Sequence, residues 1–238
     1  MDQLISFDQR LLLLLNGSDS TFLDNCFLMI TRTGTWIPMM LVLLYILLKN
    51  RPWREVLFAV IGIALVVLIA DRFSSGLCKP LFHRFRPSHE PVLEGLVDLV
   101  DDRRGGPYGF ISSHAANTFG VAFFLFLYLR RRLLSLTVFL WAALSSYSRI
   151  YLGLHYPGDI LAGALFGVAA GTFCYFLLCL ACRRSGQPLR PRWPTGSTLL
   201  GRSACPDGIE PGDARLLSGI FLLTLLVICL AAACQTPT

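Results

Sequence analysis

Three short segments of this sequence concentrate cationic, hydroxyl and imidazole side chains. The segments are residues 79–87, 111–114 and 148–159. Lys79, Arg86 and Arg149 bring positive charge to them, and too few carboxylates lie nearby in the sequence to neutralise it. Half-buried cations need anionic partners, and both the arginine fork and the lysine ammonium suit phosphate oxygens. We therefore expect these three side chains to bind a phosphate dianion.

Two histidines could carry out the reaction. A neutral imidazole can accept a phosphoryl group and form a phosphohistidine. His155 is the better nucleophile, because Asp159 can accept one ring N–H and leave the other nitrogen free to attack. His114 is then available to protonate the leaving oxygen and later to activate water.

Ser112 and Ser113 precede an apolar helical run and should lie at its N-terminus. Free backbone N–H groups and the helix dipole attract anions there, which adds phosphate ligands to the cations. The cations already supply the charge stabilisation that the reaction needs. We therefore expect no metal and no cofactor, since no acidic or Cys/His cluster offers a convincing metal site.

The composition of the chain is that of a membrane protein. Of its 238 residues, 54% are hydrophobic and 15% are charged, whereas a soluble domain usually carries about 25% charged residues. The net charge of +6 could suggest a nucleic-acid partner. The arginines instead cluster in short loops between apolar runs, which is typical of cytoplasmic loops, so we expect no nucleic acid.

Six apolar stretches predict an all-α integral-membrane bundle of about six helices. These stretches are 26–48, 55–77, 115–129, 133–152, 159–182 and 216–234. Residues 4–15 are too short to span a bilayer and contain Asp8. We interpret them as an N-terminal helix lying along the membrane surface and ending at Asn16-Gly17.

The chain divides into four parts by the same reasoning. They are an N-terminal interfacial helix (1–25), a catalytic transmembrane domain (26–182), a flexible cytoplasmic loop (183–214) and a C-terminal transmembrane helix (215–238). Proline and glycine enrichment gives the third part its loop character.

The positive-inside rule orients the bundle. If the basic loop 49–54 is cytoplasmic, alternation of the spans places the arginine-rich loops 130–132 and 183–214 on the same side. Loops 78–113 and 152–158 then lie on the other side, where all three reactive segments meet. We expect that side to be the periplasmic face of a bacterial inner membrane.

The motifs resemble those of the type-2 phosphatidic acid phosphatase family of membrane lipid phosphatases. The family pattern is K-x6-RP, then PSGH, then SR-x5-H-x3-D. The matching residues are Lys79, Arg86, Pro87, Ser112, His114, Ser148, Arg149, His155 and Asp159. The second motif departs at two positions, where Ile111 replaces proline and Ser113 replaces glycine. The resemblance covers about residues 55–180.

The resemblance implies a six-helix α-bundle, metal-independent phosphohistidine catalysis and a lipid phosphate or diphosphate substrate. It implies that His155 is the nucleophile, His114 the acid and base, and Asp159 the residue that orients His155. The phosphate ligands that it implies are Lys79, Arg86, Ser112, Ser113 and Arg149.

We therefore expect a phosphatase that hydrolyses a lipid phosphomonoester or diphosphate at the outer membrane face. Undecaprenyl diphosphate and the phosphorylated sugar of a lipid A-like glycolipid compete as substrates, with phosphatidic acid or phosphatidylglycerol phosphate third. A non-catalytic binder or transporter of anionic lipid is the rival hypothesis, which the spacing of His155 and Asp159 disfavours. The expected partners are the substrate and membrane lipids, and no pattern indicates an oligomeric state.

The outer loop 88–110 is long enough to be a lid or a head-group reader, and equally could be a solvated connection. His83 and Arg84 precede it on the same rim and could contact a second phosphate or a sugar. Asp71-Arg72 lies within the second span, where ionisable residues are functional hypotheses by default. We interpret the two as a self-compensating pair; alternatively, Asp71 tunes Lys79 two turns later.

Overall fold

Helices make up almost all of the regular structure in the computed structural model, which describes residues 2–184 and 209–236. The helices are α1 (Asp2–Leu15), α2 (Thr21–Ile30), α3 (Ile37–Asn50), α4 (Trp53–Asp71), α5 (Lys79–Phe82), α6 (Ser113–Leu129), α7 (Arg132–Tyr151), α8 (Pro157–Arg184) and α9 (Pro211–Gln235). Within the described ranges the only β-type pairing is a single bridge between Phe85 and Tyr108. The predicted all-α class is confirmed.

Five segments of the described chain are long and apolar enough to cross a membrane. They are Thr33–Asn50, Trp53–Phe82, Arg132–Tyr151, Pro157–Arg184 and Pro211–Gln235. The 17 residues of α6 correspond to the remaining predicted span, and at about 1.5 Å per residue they extend roughly 25 Å. The chain is therefore a multi-pass membrane bundle.

The N-terminal helix α1 is amphipathic and packs against α7 and α8. Leu4, Phe7 and Leu14 are exposed on its outer face, whereas Leu12 is fully buried. The helix ends where the sequence predicted, because Gly17 has a φ of +63°, a conformation that glycine adopts without strain. The structure thus provides a helix with one apolar outward face, as an interfacial position requires.

The first predicted span is not one helix. A 3₁₀ turn at Thr33–Trp36 separates α2 from α3. The Thr35 hydroxyl donates to the Met29 carbonyl at 2.7 Å, and the Trp36 indole donates to the Ile30 carbonyl at 2.8 Å. These side chains satisfy carbonyls at the end of α2 that a longer helix would have bonded, so the chain can turn there without leaving them unpaired.

The second predicted span is longer than expected. A π-helical turn at Arg72–Cys78 joins α4 to α5, so that helical structure runs without interruption from Trp53 to Phe82. Such turns are frequent at functional sites. The helix ends at His83, whose φ is +46°. This extension places Lys79 on the last helical turn, at the edge of the bundle.

Helices α6 and α8 approach each other closely along a row of glycines. A Cβ atom added at Gly163 would lie 2.5 Å from the Ser112 carbonyl oxygen. At Gly167 it would overlap the Ala116 carbonyl oxygen, and at Gly171, one turn later, it would overlap the Gly120 carbonyl oxygen. Small residues at four-residue spacing let two membrane helices pack backbone against backbone. The first turn of α6 is thereby fixed against the first turns of α8.

The C-terminal helix α9 packs against α2, α3 and α7. Its first turn is tied to the end of α3, because Asp213 accepts from the Lys49 ammonium at 2.9 Å and from the Asn50 amide at 2.8 Å. Helix α8 continues to Arg184, slightly beyond its predicted end. Most of the predicted cytoplasmic loop, residues 185–208, lies outside the described residues.

The close contact of α6 and α8 predicts a difference between two glycine substitutions. Gly167→Ala forces the helices apart and should lower the free energy of unfolding by about 1–3 kcal/mol. Gly219→Ala on α9 places a methyl group where no atom lies within 4 Å, and it should stabilise its helix by about 0.5–1 kcal/mol. Thermal unfolding in detergent measures both, and equal melting temperatures would contradict the packing described.

Candidate active site

The three reactive segments meet at one end of the bundle. The Lys79 ammonium lies 3.5 Å from the Ser113 hydroxyl, and the backbone N–H of Ser112 donates to the Asp159 carbonyl at 3.1 Å. A third contact joins the remaining pair of segments, with a terminal nitrogen of Arg86 3.0 Å from a ring nitrogen of His155. Segments separated by tens of residues therefore form one site.

His155 is almost fully buried and has a defined tautomer. Its Nε2 lies 3.0 Å from Nη1 of Arg86, and its Nδ1 lies 3.4 Å from Oδ2 of Asp159. A guanidinium can only donate, so Nε2 must accept and Nδ1 must carry the proton. The lone pair that a nucleophile needs is therefore on Nε2, on the side of the cations.

The charge state of His155 follows from its surroundings. Burial, opposed by the hydrogen bond to Asp159 and aided by the charge of Arg86, lowers the pKa of the imidazole to about 4 from an ordinary value of 6.5. The ring is consequently neutral at physiological pH. A neutral ring is the form that can attack phosphorus.

Asp159 is fully buried in the first turn of α8, as the sequence predicted. Oδ1 accepts from Nη1 of Arg84 at 2.8 Å, and Oδ2 accepts from the backbone N–H of Tyr156 at 3.1 Å. The Arg84 guanidinium also stacks 4.2 Å above the Tyr156 ring. Donors on both carboxylate oxygens fix the plane of the group and hence the direction of the His155 ring.

Asp8 of α1 completes this network, and the sequence analysis did not anticipate it. Its Oδ2 accepts from Nη2 of Arg84 at 2.6 Å, and its Oδ1 accepts from the backbone N–H of Gly158 at 2.8 Å. Asp8 therefore holds both the arginine that holds Asp159 and the first turn of α8. The one signal in the sequence was a carboxylate interrupting an apolar run, which we interpreted as a surface feature.

Arg84 is engaged differently from the head-group contact expected of it. Its guanidinium contacts two carboxylates and one aromatic ring, and the side chain is only 25% exposed. His83 is exposed at the rim, edge-on to the Tyr108 ring at a centroid distance of 4.8 Å. The proposed contact with a head group stays a prediction for both residues.

Arg86 is buried beneath the outer loop. Its Nη1 donates to the Leu154 carbonyl at 2.9 Å, and its backbone N–H donates to the Pro107 carbonyl at 2.9 Å. Burial lowers the pKa of the guanidinium, which stays charged because its ordinary pKa is far above neutrality. A Cβ added at Gly109 would lie 3.2 Å from Arg86 and 3.1 Å from Asp159, so this loop packs directly over the site.

The N-terminus of α6 is capped as predicted. The Ser112 hydroxyl accepts from the Ala115 backbone N–H at 3.3 Å. Ser113 is half-buried with its hydroxyl toward Lys79, and His114 follows it in the first turn. The cap uses the Ser112 hydroxyl, so the backbone N–H groups and the Ser113 hydroxyl are the donors of this turn best suited to an anion.

Arg149, in the last turn of α7, forms hydrogen bonds through both its side chain and its backbone carbonyl. Its Nη1 donates to the hydroxyl of Thr31 at 2.9 Å, and its carbonyl accepts the backbone N–H groups of Leu154 and His155 at 3.0 and 3.2 Å. Thr31 ends α2, 118 residues away, and nothing in the sequence pointed to it. The two hydrogen bonds to the Arg149 carbonyl fix the backbone of His155 relative to Arg149.

Positive charge exceeds negative charge where these groups meet. The charges of Arg86 and Arg149 both act on His155, while the carboxylate of Asp159 is already paired with Arg84. An anion between Lys79, Arg86 and Arg149 would relieve the repulsion among them. Phosphate fits this need best, because several of its oxygens can accept from these donors at once.

Comparisons with known proteins agree with this chemistry. The PAP2 superfamily matches residues 55–179. A lipid A 4'-phosphatase of Bacteroides thetaiotaomicron is 39% identical over 94% of this chain and 96% of its own length. A lipid A 4'-phosphatase of Porphyromonas gingivalis is 36% identical over 99% of this chain and 94% of its own.

A bacitracin transport permease protein of Bacillus licheniformis, BcrC, is 30% identical over 54% of this chain and 57% of its own length. No solved structure matches the chain significantly.

The network around Asp8 predicts a defect in turnover. Asp8→Asn removes the ion pair that steadies Arg84, so that Asp159 and His155 are less well oriented. We expect kcat for phosphate release to fall about tenfold with little change in KM, because the phosphate ligands stay in place. Asp8→Glu should restore part of the rate. Arg10→Gln, on an exposed position of the same helix, is the control and should resemble the unchanged protein.

The burial of His155 predicts its titration. With histidine labelled at ¹³Cε1, the His155 signal, assigned by its loss in His155→Asn, should not shift between pH 5.5 and 8. It should move only as the pH approaches about 4, since the ring is neutral above that value. A midpoint between pH 6 and 7 would show that the imidazole is hydrated or that Asp159 dominates its environment.

Proposed function

Because the chain belongs to the PAP2 superfamily and is a membrane lipid phosphatase, we propose that it removes a phosphomonoester from the sugar of a lipid A-type glycolipid. The observation that carries the choice of lipid is the extent of the likeness to the two lipid A 4'-phosphatases. It covers 94% and 99% of this chain, and the second match therefore includes nearly all of α1 and α9, which lie outside the residues that the superfamily matches.

The position of Asp8 supports a role in the site for residues outside the superfamily match. Asp8 precedes the superfamily match by almost fifty residues, and yet it bonds to Arg84 in the site. Loop 88–110, which covers Arg86, is where a large sugar head group would have to lie. We therefore propose that α1 and loop 88–110, which lie around the phosphate site, determine which lipid is accepted.

The proposed reaction begins with the phosphate held by Lys79, Arg86, Arg149 and the first turn of α6. Nε2 of His155 attacks phosphorus, forming a P–N bond as the P–O bond to the sugar breaks. The Nδ1 proton stays on the ring, and the buried carboxylate of Asp159 stabilises the positive charge that the ring acquires.

His114 gives the leaving sugar oxygen its proton in this step. In the second step it takes a proton from water, whose oxygen attacks phosphorus as the P–N bond breaks. Inorganic phosphate and the dephosphorylated lipid are the products, and His155 returns to its neutral form. The three cations stabilise the charge on the transferring oxygens throughout.

The site is proposed to face the periplasm from the inner membrane. The basic ends of α3, α7 and α8 lie at the opposite ends of their helices from His155, as the positive-inside rule requires. In this orientation α1 rests on the periplasmic surface of the bilayer with its exposed leucines toward lipid.

Release of phosphate by the purified chain, measured over a panel of lipid phosphates, tests the proposal. The panel contains a lipid A-type 4'-phosphate, undecaprenyl diphosphate, phosphatidic acid and phosphatidylglycerol phosphate. We expect the highest kcat/KM for the first. His155→Ala removes the nucleophile and should reduce release at least roughly 10³-fold, and vanadate should inhibit the unchanged protein.

Arg10→Gln, at an exposed position of α1, is the control and should keep most of the rate. Equal release by His155→Ala and the unchanged protein would overturn the mechanism. Faster hydrolysis of undecaprenyl diphosphate would overturn the choice of lipid and leave the mechanism standing.

A further inference from the structure

A row of polar side chains leads from Lys79 along the surface of the bundle toward the membrane interior. The Lys79 ammonium donates to the Ser75 hydroxyl at 3.1 Å. One turn below, Asp71 accepts from the Asn117 amide at 2.9 Å. We call Asp71, Ser75 and Asn117 the polar stripe. The contact between Asp71 and Asn117 joins the end of α4 to α6 directly beneath the proposed phosphate site.

The polar stripe lies at a depth where lipid tails are expected. Asp71 and Ser75 are exposed on a segment that is long and apolar enough to cross a membrane. Leu68 and Leu77 on the same segment are each 52% exposed. Eight residues separate Asp71 from Lys79, or roughly 12 Å along a helix. A phosphate held by Lys79 would thus place the tops of its acyl chains beside Asp71.

Asp71 has unused capacity to accept hydrogen bonds. The expected pairing with Arg72 is not formed, because no ion pair joins these two residues within 4 Å and Asp71 bonds to Asn117 instead. A carboxylate has about four acceptor positions. A carboxylate exposed toward hydrocarbon is unfavourable unless donors reach it, which makes such a residue a candidate binding group.

We propose that the polar stripe binds the upper part of the substrate's acyl chains and selects lipids that carry amide N–H or hydroxyl donors there. This inference rests on the proposed phosphatase function and specifies its substrate further. Ester carbonyls only accept hydrogen bonds, so a lipid with ester linkages alone adds no donor to the one that Asn117 already gives Asp71. A polyprenyl chain has neither donor nor acceptor at this depth.

Binding of two matched lipids tests the selection without turnover. The full chain with His155→Ala is titrated in mixed micelles with ceramide 1-phosphate, which has an amide N–H and a hydroxyl near the phosphate, and with phosphatidic acid, which has only esters. Ceramide 1-phosphate should bind about tenfold or more tightly, as expected for a hydrogen bond to a charged group. Adding Asp71→Ala should bring the ratio of the two dissociation constants close to one.

Two further variants separate recognition from a general defect. Asp71→Asn keeps an acceptor but removes the charge, and should leave part of the preference. Leu77→Ala, at a lipid-facing position of the same segment, should keep all of it.

Equal binding of the two lipids by the starting protein, no binding of either, or a preference that survives Asp71→Ala would each overturn the inference. Weaker binding of both lipids by the same factor would also overturn it, since Asp71 would then act through Lys79. The proposed function fails by a separate result, the absence of phosphate release from every lipid in the panel.

Discussion

The carboxylate of Asp159 is fully buried, and a buried carboxylate must receive its hydrogen bonds from protein groups. Those groups come from separate parts of the chain. They are the guanidinium of Arg84 before the outer loop and the backbone N–H of Tyr156 between α7 and α8, and Nδ1 of His155 lies 3.4 Å from the same carboxylate. Asp8 of α1 then holds Arg84. Because these donors must converge on one side chain, the relative positions of α1, the end of α5, α7 and α8 follow from a single electrostatic requirement.

The glycines of α8 that face α6 also help to position the residues around Asp159. Gly163 lets α6 approach until the Ser112 N–H reaches the Asp159 carbonyl, and this approach brings Ser113 and His114 beside the proposed phosphate ligands. A bulkier residue would separate the two helices and move the proposed acid and base away from the nucleophile. Packing and catalysis are thus linked at the same helical turns, so the site cannot be adjusted independently of the core.

Much of this arrangement could be predicted from the sequence, because it depends on local spacing. The interval from His155 to Asp159 and the cap at Ser112 are short-range features that the sequence displays directly. The roles of Asp8 and Thr31 could not be predicted, because each depends on a partner at least 70 residues away. The break between α2 and α3 was also not predicted. Thr35 and Trp36, which bond the free carbonyls there, lie within the stretch 26–48 that we interpreted as a single apolar span.

The contact between Arg86 and Nε2 of His155 also limits which groups could reach the ring nitrogen. A guanidinium covers the lone pair that we propose attacks phosphorus, so an electrophile without negative charge would meet a cation instead of a nucleophile. Only a group whose oxygens compete better for those N–H bonds can draw the guanidinium away and expose the ring. In the proposed mechanism the phosphate dianion therefore has two roles, because it must first displace the Arg86 guanidinium from Nε2 and is then attacked by the exposed ring nitrogen.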